Sequence, residues 1–483
     1  MNTQIVKLFG LLLGLYALLV GFTSYWSIFD AEGLEQNPDN RRPLLLEQKI
    51  ERGEILTVDG QVIARSVPEG RAGDEIFVRR YPQGDLYGNP IGYSFLERGR
   101  VGFELSHNDE LVGNKTEFLS VLDELQGHEQ VGSNVFSSID SEAQRVATDA
   151  LAGQPGSVVA IVPDTGEIRA MVSVPTYDPN EIRSNEAFQK LNTADPPAII
   201  NRATQSVYPP GSTMKVVTAT AALESGDFNP DTVLNADSPK TISGVPLENA
   251  GGESFGDIAM TDALTNSVNT YWAQVGEDLG TETMYRYMDR YGFNQLPDID
   301  YPEFQLSPSG EYSGGDLLGS GSDEIDVGRM AIGQDKLLVT PLQMAQVAAT
   351  VANDGERMCP RLWSKVVDSD QRTEELGGGD RCARVMDEDT AETLTQMMTD
   401  VVNEGTGGAA ALADDQVAGK TGTAEIFGRE GCAEDNQAWF IGFAPADDPE
   451  IAVAATVECT SGAGGEVAAP IAQQVMEVLL ADG

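Results

Sequence analysis

A serine hydroxyl and a lysine amine lie three residues apart in the stretch YPPGSTMKVV, which spans residues 208–217. The two prolines and the glycine disfavour helix, so we predict that a helix begins near Ser212 and that Lys215 shares its face. At a helix N-terminus, unpaired backbone N–H groups stabilise a developing oxyanion. Lys215 can accept the serine proton only when neutral, and burial lowers a lysine pKa by ~3–5 units. The stretch therefore predicts a nucleophile and its base, although the pattern alone is more typical of a capping serine beside a solvated lysine.

The chain has two histidines, His107 and His128, and both precede residue 150. If Ser212 is a nucleophile in the later part of the chain, a Ser–His–Asp triad built within that part is excluded. A histidine-based zinc site there is excluded for the same reason. The base must then be a lysine, a carboxylate or another hydroxyl, and we expect no metal and no cofactor.

Two further stretches carry polar groups that suit the same chemistry. TNSVNTYW places a hydroxyl and an amide two residues apart, at Ser267 and Asn269, although it is also typical of a polar turn between helices. VAGKTGTAEIF indicates a strand whose glycine lets an extended peptide approach and pair beside it. Its alternative interpretation is a strand edge that carries a lysine to prevent unwanted pairing. The candidate residues of this strand are Lys420, Thr421, Gly422 and Thr423.

The order S-x-x-K, S-x-N and K-T-G, at intervals of 55 and 153 residues, resembles the penicillin-recognising serine acyl transferases. These comprise the penicillin-binding proteins and the class A β-lactamases. Four further segments are similar to class B penicillin-binding proteins: RGEILTVDGQVIARS, GFELSHNDELVG, GSVVAIVPDTGEIRAMVSVPTYDPN and IGQDKLLVTPLQMA. Two others are especially similar to the short actinobacterial branch of that class: NRATQSVYPPGSTMK and the pair KTGTAE and AWFIGFAP. The resemblance covers essentially the whole chain. It departs in the acidity of the chain and in an N-terminal module of about 120 residues, too short for the glycosyltransferase of the bifunctional class.

The resemblance implies a role for each catalytic candidate. Ser212 would attack the carbonyl of the penultimate D-alanine in a peptidoglycan stem peptide and release the terminal D-alanine. Lys215 would be the general base, and Ser267 would relay a proton to the leaving amine. Asn269 would hold the substrate amide and orient Lys215. An amine of a neighbouring stem peptide would then attack the acyl-enzyme and form the cross-link.

The resemblance also implies how the donor peptide is held. Lys420 and Thr421 would bind its terminal carboxylate through charge and a hydrogen bond, next to Gly422. The backbone N–H groups of Ser212 and Thr423 would form the oxyanion hole, in which one donor is typically worth ~2.7–4 kcal/mol. β-Lactam antibiotics would acylate the same serine.

The arrangement of strand and helix patterns predicts the fold class. Between about residue 151 and residue 483, apolar strand pairs lie at both ends, and helical segments lie between and after them. This order predicts an α+β domain with an antiparallel sheet covered by helices. The resemblance identifies this domain as a penicillin-recognising serine transpeptidase, or β-lactamase-like, fold. Residues 30–150 predict a small mixed module, a pedestal or dimerisation-like unit, with a hairpin at the DG of RGEILTVDGQVIARS.

The N-terminus has the length and composition of a membrane anchor. Residues 8–29 form an uncharged run of 22 residues, enough to cross a hydrocarbon core of ~30 Å. Its end, SYWSIF, is bulky and aromatic, whereas a signal peptide has a shorter apolar core and small residues at its cleavage site. Lys7 precedes the run, and Asp30 and Glu32 follow it. We predict an uncleaved single span within residues 1–29, with a cytoplasmic N-terminus and the catalytic domain outside the plasma membrane.

Four cysteines, all after residue 350, permit three disulfide pairings. QAWFIGFAPA and EIAVAATVEC predict a strand hairpin, which would bring Cys459 close to Cys432. We therefore expect Cys432–Cys459 and, by elimination, Cys359–Cys382. No C-x-x-C pair occurs, which argues against a zinc site.

The chain carries 76 acidic and 31 basic residues, a formal charge of −45, which argues against binding nucleic acid. A surface adapted to high salt and an ordinary acidic extracellular surface both account for this charge. The expected partners are peptidoglycan stem peptides, β-lactams and the membrane. The resemblance adds a SEDS-family glycosyltransferase and other wall-synthesis proteins.

Three other functions are compatible with parts of the pattern. A β-lactamase or a D,D-carboxypeptidase would use the same acyl-enzyme with water as the acceptor, but a diffusing β-lactamase needs neither an anchor nor an N-terminal module. A β-lactam-sensing receptor would need several membrane spans. A catalytically silent cell-wall scaffold would not need the motif residues, all of which are present. A membrane-anchored serine D-Ala-D-Ala transpeptidase is therefore the favoured interpretation.

Overall fold

The computed structural model describes residues 2–26, 47–71, 74–113, 130–375, 377–426, 432 and 436–481. Its helices are α1 Asn2–Ser24, α2 Gly88–Ile91, α3 Phe103–Ser106, α4 Asn108–Val112, α5 Ser141–Ala150, α6 Asn185–Asn192, α7 Lys215–Ser225, α8 Met260–Thr265, α9 Asn269–Tyr291, α10 Val327–Met330, α11 Pro341–Ala352, α12 Glu388–Asn403 and α13 Gly464–Ala481. Its strands are β1 Ile55–Leu56, β2 Val62–Arg71, β3 Asp74–Arg80, β4 Tyr93–Phe95, β5 Gly99–Val101, β6 Asn134–Ser137, β7 Gly156–Ile161, β8 Ile168–Val174, β9 Val233–Asn235, β10 Lys240–Ile242, β11 Val245–Leu247, β12 Asp257–Ala259, β13 Gly310–Ser313, β14 Asp316–Leu317, β15 Leu337–Leu338, β16 Glu356–Met358, β17 Trp363–Val367, β18 Thr373–Glu375, β19 Arg381–Arg384, β20 Ala418–Glu425, β21 Asn436–Ala444 and β22 Ile451–Thr460.

A five-stranded antiparallel sheet forms the centre of the later part of the chain, in the order β20-β21-β22-β7-β8. Both predicted hairpins are confirmed, because β7 pairs with β8 and β21 pairs with β22. β20 lies at the edge of the sheet, and among the described strands it pairs only with β21. Its other edge can therefore accept an extended ligand.

Helices cover both faces of this sheet. α13 and α5 lie on one face, where Val158, Phe440 and Ile471 belong to a buried apolar core. α11 packs on the opposite face, against β7, β21 and β22, and begins with a proline at a position where its missing N–H costs nothing. Because apolar side chains leave water on both faces, the sheet lies between two layers of helices. The predicted α+β architecture is confirmed.

A six-stranded sheet, in the order β18-β17-β6-β1-β2-β3, connects the N-terminal module to the later part of the chain. β1 and β2 form the hairpin that was predicted at the DG turn. β6 pairs in parallel with β1 and antiparallel with β17, which follows it by more than 200 residues. Strand pairing therefore crosses the predicted boundary at residue 150, and the domain ranges 30–150 and 151–483 stay predictions.

α1 is the N-terminal apolar helix. Its residues Thr3–Ser24 are long and apolar enough to cross a membrane, a test that a signal sequence near the N-terminus also passes. The helix begins six residues before the predicted span of residues 8–29 and includes Lys7. Residues 27–29, together with Asp30 and Glu32, lie outside the described residues.

Two disulfides lie in the part of the chain after residue 350. Cys359 is bonded to Cys382 and Cys432 to Cys459, each with a Cα–Cα distance of 5.1 Å. The first staples the ends of the paired strands β16 and β19. The second ties the end of β22 to the segment that precedes β21.

Candidate active site

The nucleophile candidate lies in a tight turn at the start of a helix. Residues Gly211–Met214 form a 3₁₀ turn that continues directly into α7, so the predicted helix start near Ser212 is confirmed. Gly211 has φ 54°, and its N–H donates to the carbonyl of Gly333 at 2.9 Å. Thr213 Oγ1 donates to the carbonyl of Pro210 at 2.8 Å and closes the turn. Ser212 is half-buried, with its side chain on the face that also carries Lys215.

Lys215 is fully buried and lies at the centre of the site. Its Nζ lies 2.9 Å from Ser212 Oγ and 2.7 Å from both the Ser267 carbonyl and Asn269 Oδ1. Burial, together with the nearby charge of Lys420, lowers the pKa of Lys215 well below its usual range. A neutral amine has two N–H groups and one lone pair. In its charged form the amine donates to Ser212 Oγ as well as to the two closer oxygens. In its neutral form the two N–H groups serve the Ser267 carbonyl and Asn269 Oδ1, and the lone pair is left to accept a hydrogen bond from the Ser212 hydroxyl.

Ser267 and Asn269 come from the connection between α8 and α9. Ser267 has φ 58°, in the left-handed region, so its carbonyl and its hydroxyl both face the Lys215 amine. Asn269 is the first residue of α9, and its Nδ2 donates to the carbonyl of Glu248 at 3.2 Å. This hydrogen bond directs the Asn269 oxygen toward the lysine.

A second buried lysine closes the polar chain. Lys420 Nζ donates to Ser267 Oγ at 3.0 Å and to the Thr421 carbonyl at 3.1 Å. Burial lowers the pKa of Lys420 to about 7. Ser267 thus lies between the two amines. In the part of the chain that the structure describes, neither amine forms an ion pair, although the protein carries 76 acidic residues.

β20 presents the remaining candidates along the edge of the sheet. A Cβ added to Gly422 would lie 2.6 Å from the carbonyl of Pro210, so only glycine permits this approach of strand and turn. Thr421 is buried, and its Oγ1 lies 2.6 Å from that of Thr406. Thr423 Oγ1 accepts a hydrogen bond from the N–H of Gly464 at 3.0 Å. The structure therefore brings all eight predicted site residues to one cleft.

The structure also shows contacts that the sequence analysis missed. Thr406 reaches Thr421 from the loop after α12, and Glu458 accepts a hydrogen bond from the Tyr208 hydroxyl, four residues before the nucleophile. Trp439 Nε1 donates to the carbonyl of Pro209 at 3.0 Å. Tyr208 and Pro209 belong to the stretch that the serine–lysine spacing singled out. No local pattern assigned Thr406, Glu458 or Trp439 to the site.

No group of acidic, histidine or cysteine side chains suitable for a metal occurs among the described residues. His107 lies in the N-terminal module, where its Nε2 is 3.1 Å from Asp300 Oδ2, and His128 lies outside the described residues. The side chains of the cleft are hydroxyls, amines and an amide. Such a set suits nucleophilic acyl transfer with a lysine base.

Two protein families match the chain. The penicillin binding protein transpeptidase domain matches residues 156–477, and the penicillin binding protein A dimerisation domain matches residues 52–135. Among curated proteins, the peptidoglycan D,D-transpeptidase PbpA of Mycolicibacterium smegmatis is 34% identical over 507 aligned positions that cover 100% of both chains. The protein of the same name from Mycobacterium tuberculosis is 32% identical and covers 99% of each chain.

Solved structures give the same result. Penicillin-binding protein A of M. tuberculosis, as its ceftriaxone acyl-enzyme complex, has a TM-score of 0.80 and 31% identity, over 90% of this chain and 100% of that one. The D,D-transpeptidase domain of a peptidoglycan glycosyltransferase from Eggerthella lenta has a TM-score of 0.77 and 32% identity, over 90% of this chain and 99% of that one.

Proposed function

The chain belongs to the class B penicillin-binding proteins, and we propose that Ser212 is the nucleophile with which it cross-links peptidoglycan stem peptides. Like the relatives that it matches over its whole length, it is a peptidoglycan D,D-transpeptidase and is acylated by β-lactams. The observation that carries the assignment is the Lys215 amine, which is buried, has no carboxylate partner among the described residues and lies 2.9 Å from the Ser212 hydroxyl.

Acylation begins with transfer of the Ser212 proton to the neutral Lys215 amine. Ser212 Oγ then forms a bond to the carbonyl carbon of the penultimate D-alanine, and the carbonyl electrons move onto its oxygen. The backbone N–H groups of Ser212 and Thr423 stabilise this oxyanion. Its collapse breaks the C–N bond, and the leaving nitrogen takes the proton from Lys215 through the Ser267 hydroxyl. Free D-alanine and a serine ester are the products.

The second half of the reaction uses the same groups in reverse. The amine of a neighbouring stem peptide attacks the ester carbonyl and forms the new amide. The proton that this amine loses returns through Lys215 to Ser212 Oγ, which is released as the free hydroxyl. A β-lactam follows only the first half, because opening its ring leaves the departing nitrogen tethered in the cleft.

The donor peptide pairs with the open edge of β20. Lys420 and the Thr421 hydroxyl bind its terminal carboxylate, and Gly422 lets the peptide backbone approach the strand. The incoming carboxylate favours the charged form of Lys420, whose pKa burial lowers to about 7. Asn269 holds the substrate amide while it orients Lys215.

We also propose how the protein is anchored in the membrane and which partner it works with. α1 anchors the protein as a single span with a cytoplasmic N-terminus, so that the catalytic domain faces the peptidoglycan outside the plasma membrane. The apolar length of α1 supports the membrane span. Lys7 near its start supports the cytoplasmic N-terminus. The resemblance to class B penicillin-binding proteins supports a SEDS-family glycosyltransferase as the partner that supplies glycan strands.

Acylation of Ser212 can be tested with a fluorescent penicillin on membranes that contain the full chain. We expect a label that persists for hours on the wild type, and no label on Ser212→Ala with an unchanged melting temperature. Ser225→Ala is the matched control, since Ser225 lies at the other end of α7, where its hydroxyl donates to the Ala222 carbonyl and accepts from the N–H of Asp227. It should label like the wild type. A Ser212→Ala protein that still takes up the label would refute the assignment.

A further inference from the structure

The loop that precedes the nucleophile, residues 208–211, is held at every residue. Tyr208 pairs with Val339 through both backbone groups, at 2.9 and 2.8 Å. The other backbone contacts join the Pro209 carbonyl to Trp439 Nε1 at 3.0 Å, the Pro210 carbonyl to Thr213 Oγ1 at 2.8 Å, and the Gly211 N–H to the Gly333 carbonyl at 2.9 Å. The segment that contains Gly333 and Val339, the Trp439 side chain and the Thr213 hydroxyl therefore hold the loop, and so determine where Ser212 lies.

A buried side-chain cluster adds a further contact at the start of this loop. The Tyr208 hydroxyl donates to Glu458 Oε1 at 2.6 Å, and Arg202 Nε donates to the same oxygen at 2.8 Å. All three side chains are buried, at 1%, 5% and 2% exposure respectively. Burial raises the pKa of Tyr208 above its usual range, so the hydroxyl stays a donor. Hydrogen bonds to an ionised carboxylate in such surroundings are about twice as strong as those between neutral groups.

We propose that Glu458 is a positioning residue for the nucleophile: through the Tyr208 hydroxyl it fixes loop 208–211 to the central sheet, and so fixes Ser212 against Lys215. The proposal rests on the proposed function, because it takes Ser212 as the acylated residue. Glu458 lies on β22, the middle strand of the five-stranded sheet. Arg202 fixes the orientation of its carboxylate.

The surroundings of the loop explain why a small displacement would matter. The Pro210 carbonyl lies 2.6 Å from where a Cβ of Gly422 would stand, so the loop is in close contact with the strand that binds the donor peptide. A shift of the loop changes the distance from Ser212 Oγ to the Lys215 amine and the direction of the Ser212 N–H. A misplacement of about 1 Å at a reacting group can cost up to ~10²-fold in rate. Binding of the donor carboxylate, by contrast, depends on β20 and is not changed.

Tyr208→Phe is the principal test, since it removes one hydroxyl and leaves the ring against Trp439. Acylation of the purified full chain by a penicillin gives two quantities, the dissociation constant of the non-covalent complex and the rate constant of the acylation step. We expect the rate constant to fall about tenfold while the dissociation constant stays within about twofold. Glu458→Gln should change the same quantity in the same direction.

Tyr301→Phe is the matched control, because the Tyr301 hydroxyl is also buried but lies outside the cleft. It contacts the carbonyls of Asn89 at 2.9 Å and Pro90 at 3.1 Å and accepts from Asn201 Nδ2 at 3.4 Å. The variant should match the melting temperature of Tyr208→Phe and acylate like the wild type. Wild-type acylation in Tyr208→Phe, or an equal loss in Tyr301→Phe, would overturn the role of Glu458 while leaving the nucleophile assignment intact. A wild-type protein that forms no penicillin adduct on Ser212 would instead refute the proposed function, and the role of Glu458 with it.

Discussion

Two of the regions that bury basic side chains treat the charge in opposite ways. In the N-terminal module, Arg52 and Arg79 each donate through Nε to Glu104, at 2.8 and 2.6 Å, and Tyr81 donates to the same carboxylate at 3.1 Å. Burial alone would raise the pKa of Glu104, but the two arginines outweigh it and hold the pKa at about 2. In the cleft, the amines of two buried lysines have hydroxyl, carbonyl and amide partners instead.

The difference separates a structural cluster from a chemical one. A buried guanidinium stays charged and therefore needs a carboxylate, which the N-terminal module supplies. A buried amine without a carboxylate loses its proton more easily, and a general base requires that loss. The acidic composition of the chain makes the contrast clearer, because none of the carboxylates among the described residues pairs with Lys215 or Lys420, although the chain carries 76 acidic residues.

The largest effect should come from replacing the catalytic amine. Lys215→Met keeps the length of the side chain but removes the base, so we expect acylation by penicillin to slow by about 10³- to 10⁴-fold. Because a desolvated amine is also removed, the melting temperature should not fall. Stopped-flow acylation and thermal unfolding measure the two quantities. Acylation within tenfold of the wild type would contradict the assignment of Lys215 as the base.

The structural cluster should respond in the reverse manner. Among the described residues, Glu104→Gln leaves the buried guanidinium of Arg79 without a countercharge and that of Arg52 with only Glu47, 3.8 Å away. We expect unfolding free energy to fall by about 3 kcal/mol. Once the chain is folded, the penicillin acylation rate should stay near that of the wild type. Glu142→Gln is the control, since Glu142 pairs with Arg145 at a half-exposed surface site, and its unfolding free energy should stay close to that of the wild type.

The pH dependence of stability provides a second check on Glu104. Its pKa in the folded protein lies below the ordinary value of 4.5, so its contribution is complete above pH 4.5 and is lost as the pH falls toward 2. The stability difference between the wild type and Glu104→Gln should therefore shrink over that interval. A difference that stays constant from pH 6 to pH 3 would show that the carboxylate charge is not what stabilises the cluster.

The sequence predicted the local features of the molecule but not its long-range contacts. The site residues follow motifs in which a serine and a lysine share one helical turn or a glycine interrupts a strand, and these local patterns are readable along the chain. The contacts of Thr406 and Glu458 depend on which segments the fold brings together, and neither residue has a local signal. The same holds for β17, whose pairing with β6 joins segments more than 200 residues apart. Local periodicity predicted the hairpins, whereas long-range pairing needed the structure.

Glu311 is a buried carboxylate that lacks, among the described residues, the partners that Glu104 has. It lies on β13 with 1% exposure, and neither of its oxygens has a hydrogen-bond partner among the described residues. Burial, with a smaller contribution from Asp335, raises the pKa of Glu311 to about 8. A raised pKa means that the stability present below pH 4.5 is lost as the pH rises through about 8.

Glu311→Gln should remove that loss, since glutamine has no proton to give up. We expect the variant to match the wild type at pH 5 and to exceed its unfolding free energy by about 2 kcal/mol at pH 9. Glu324→Gln is the control, because Glu324 is exposed and pairs with Lys336. Its difference from the wild type should be small at both values. If Glu311→Gln were destabilising at pH 9, the Glu311 carboxylate would have a stabilising partner. Glu311 would then resemble Glu104 instead of contrasting with it.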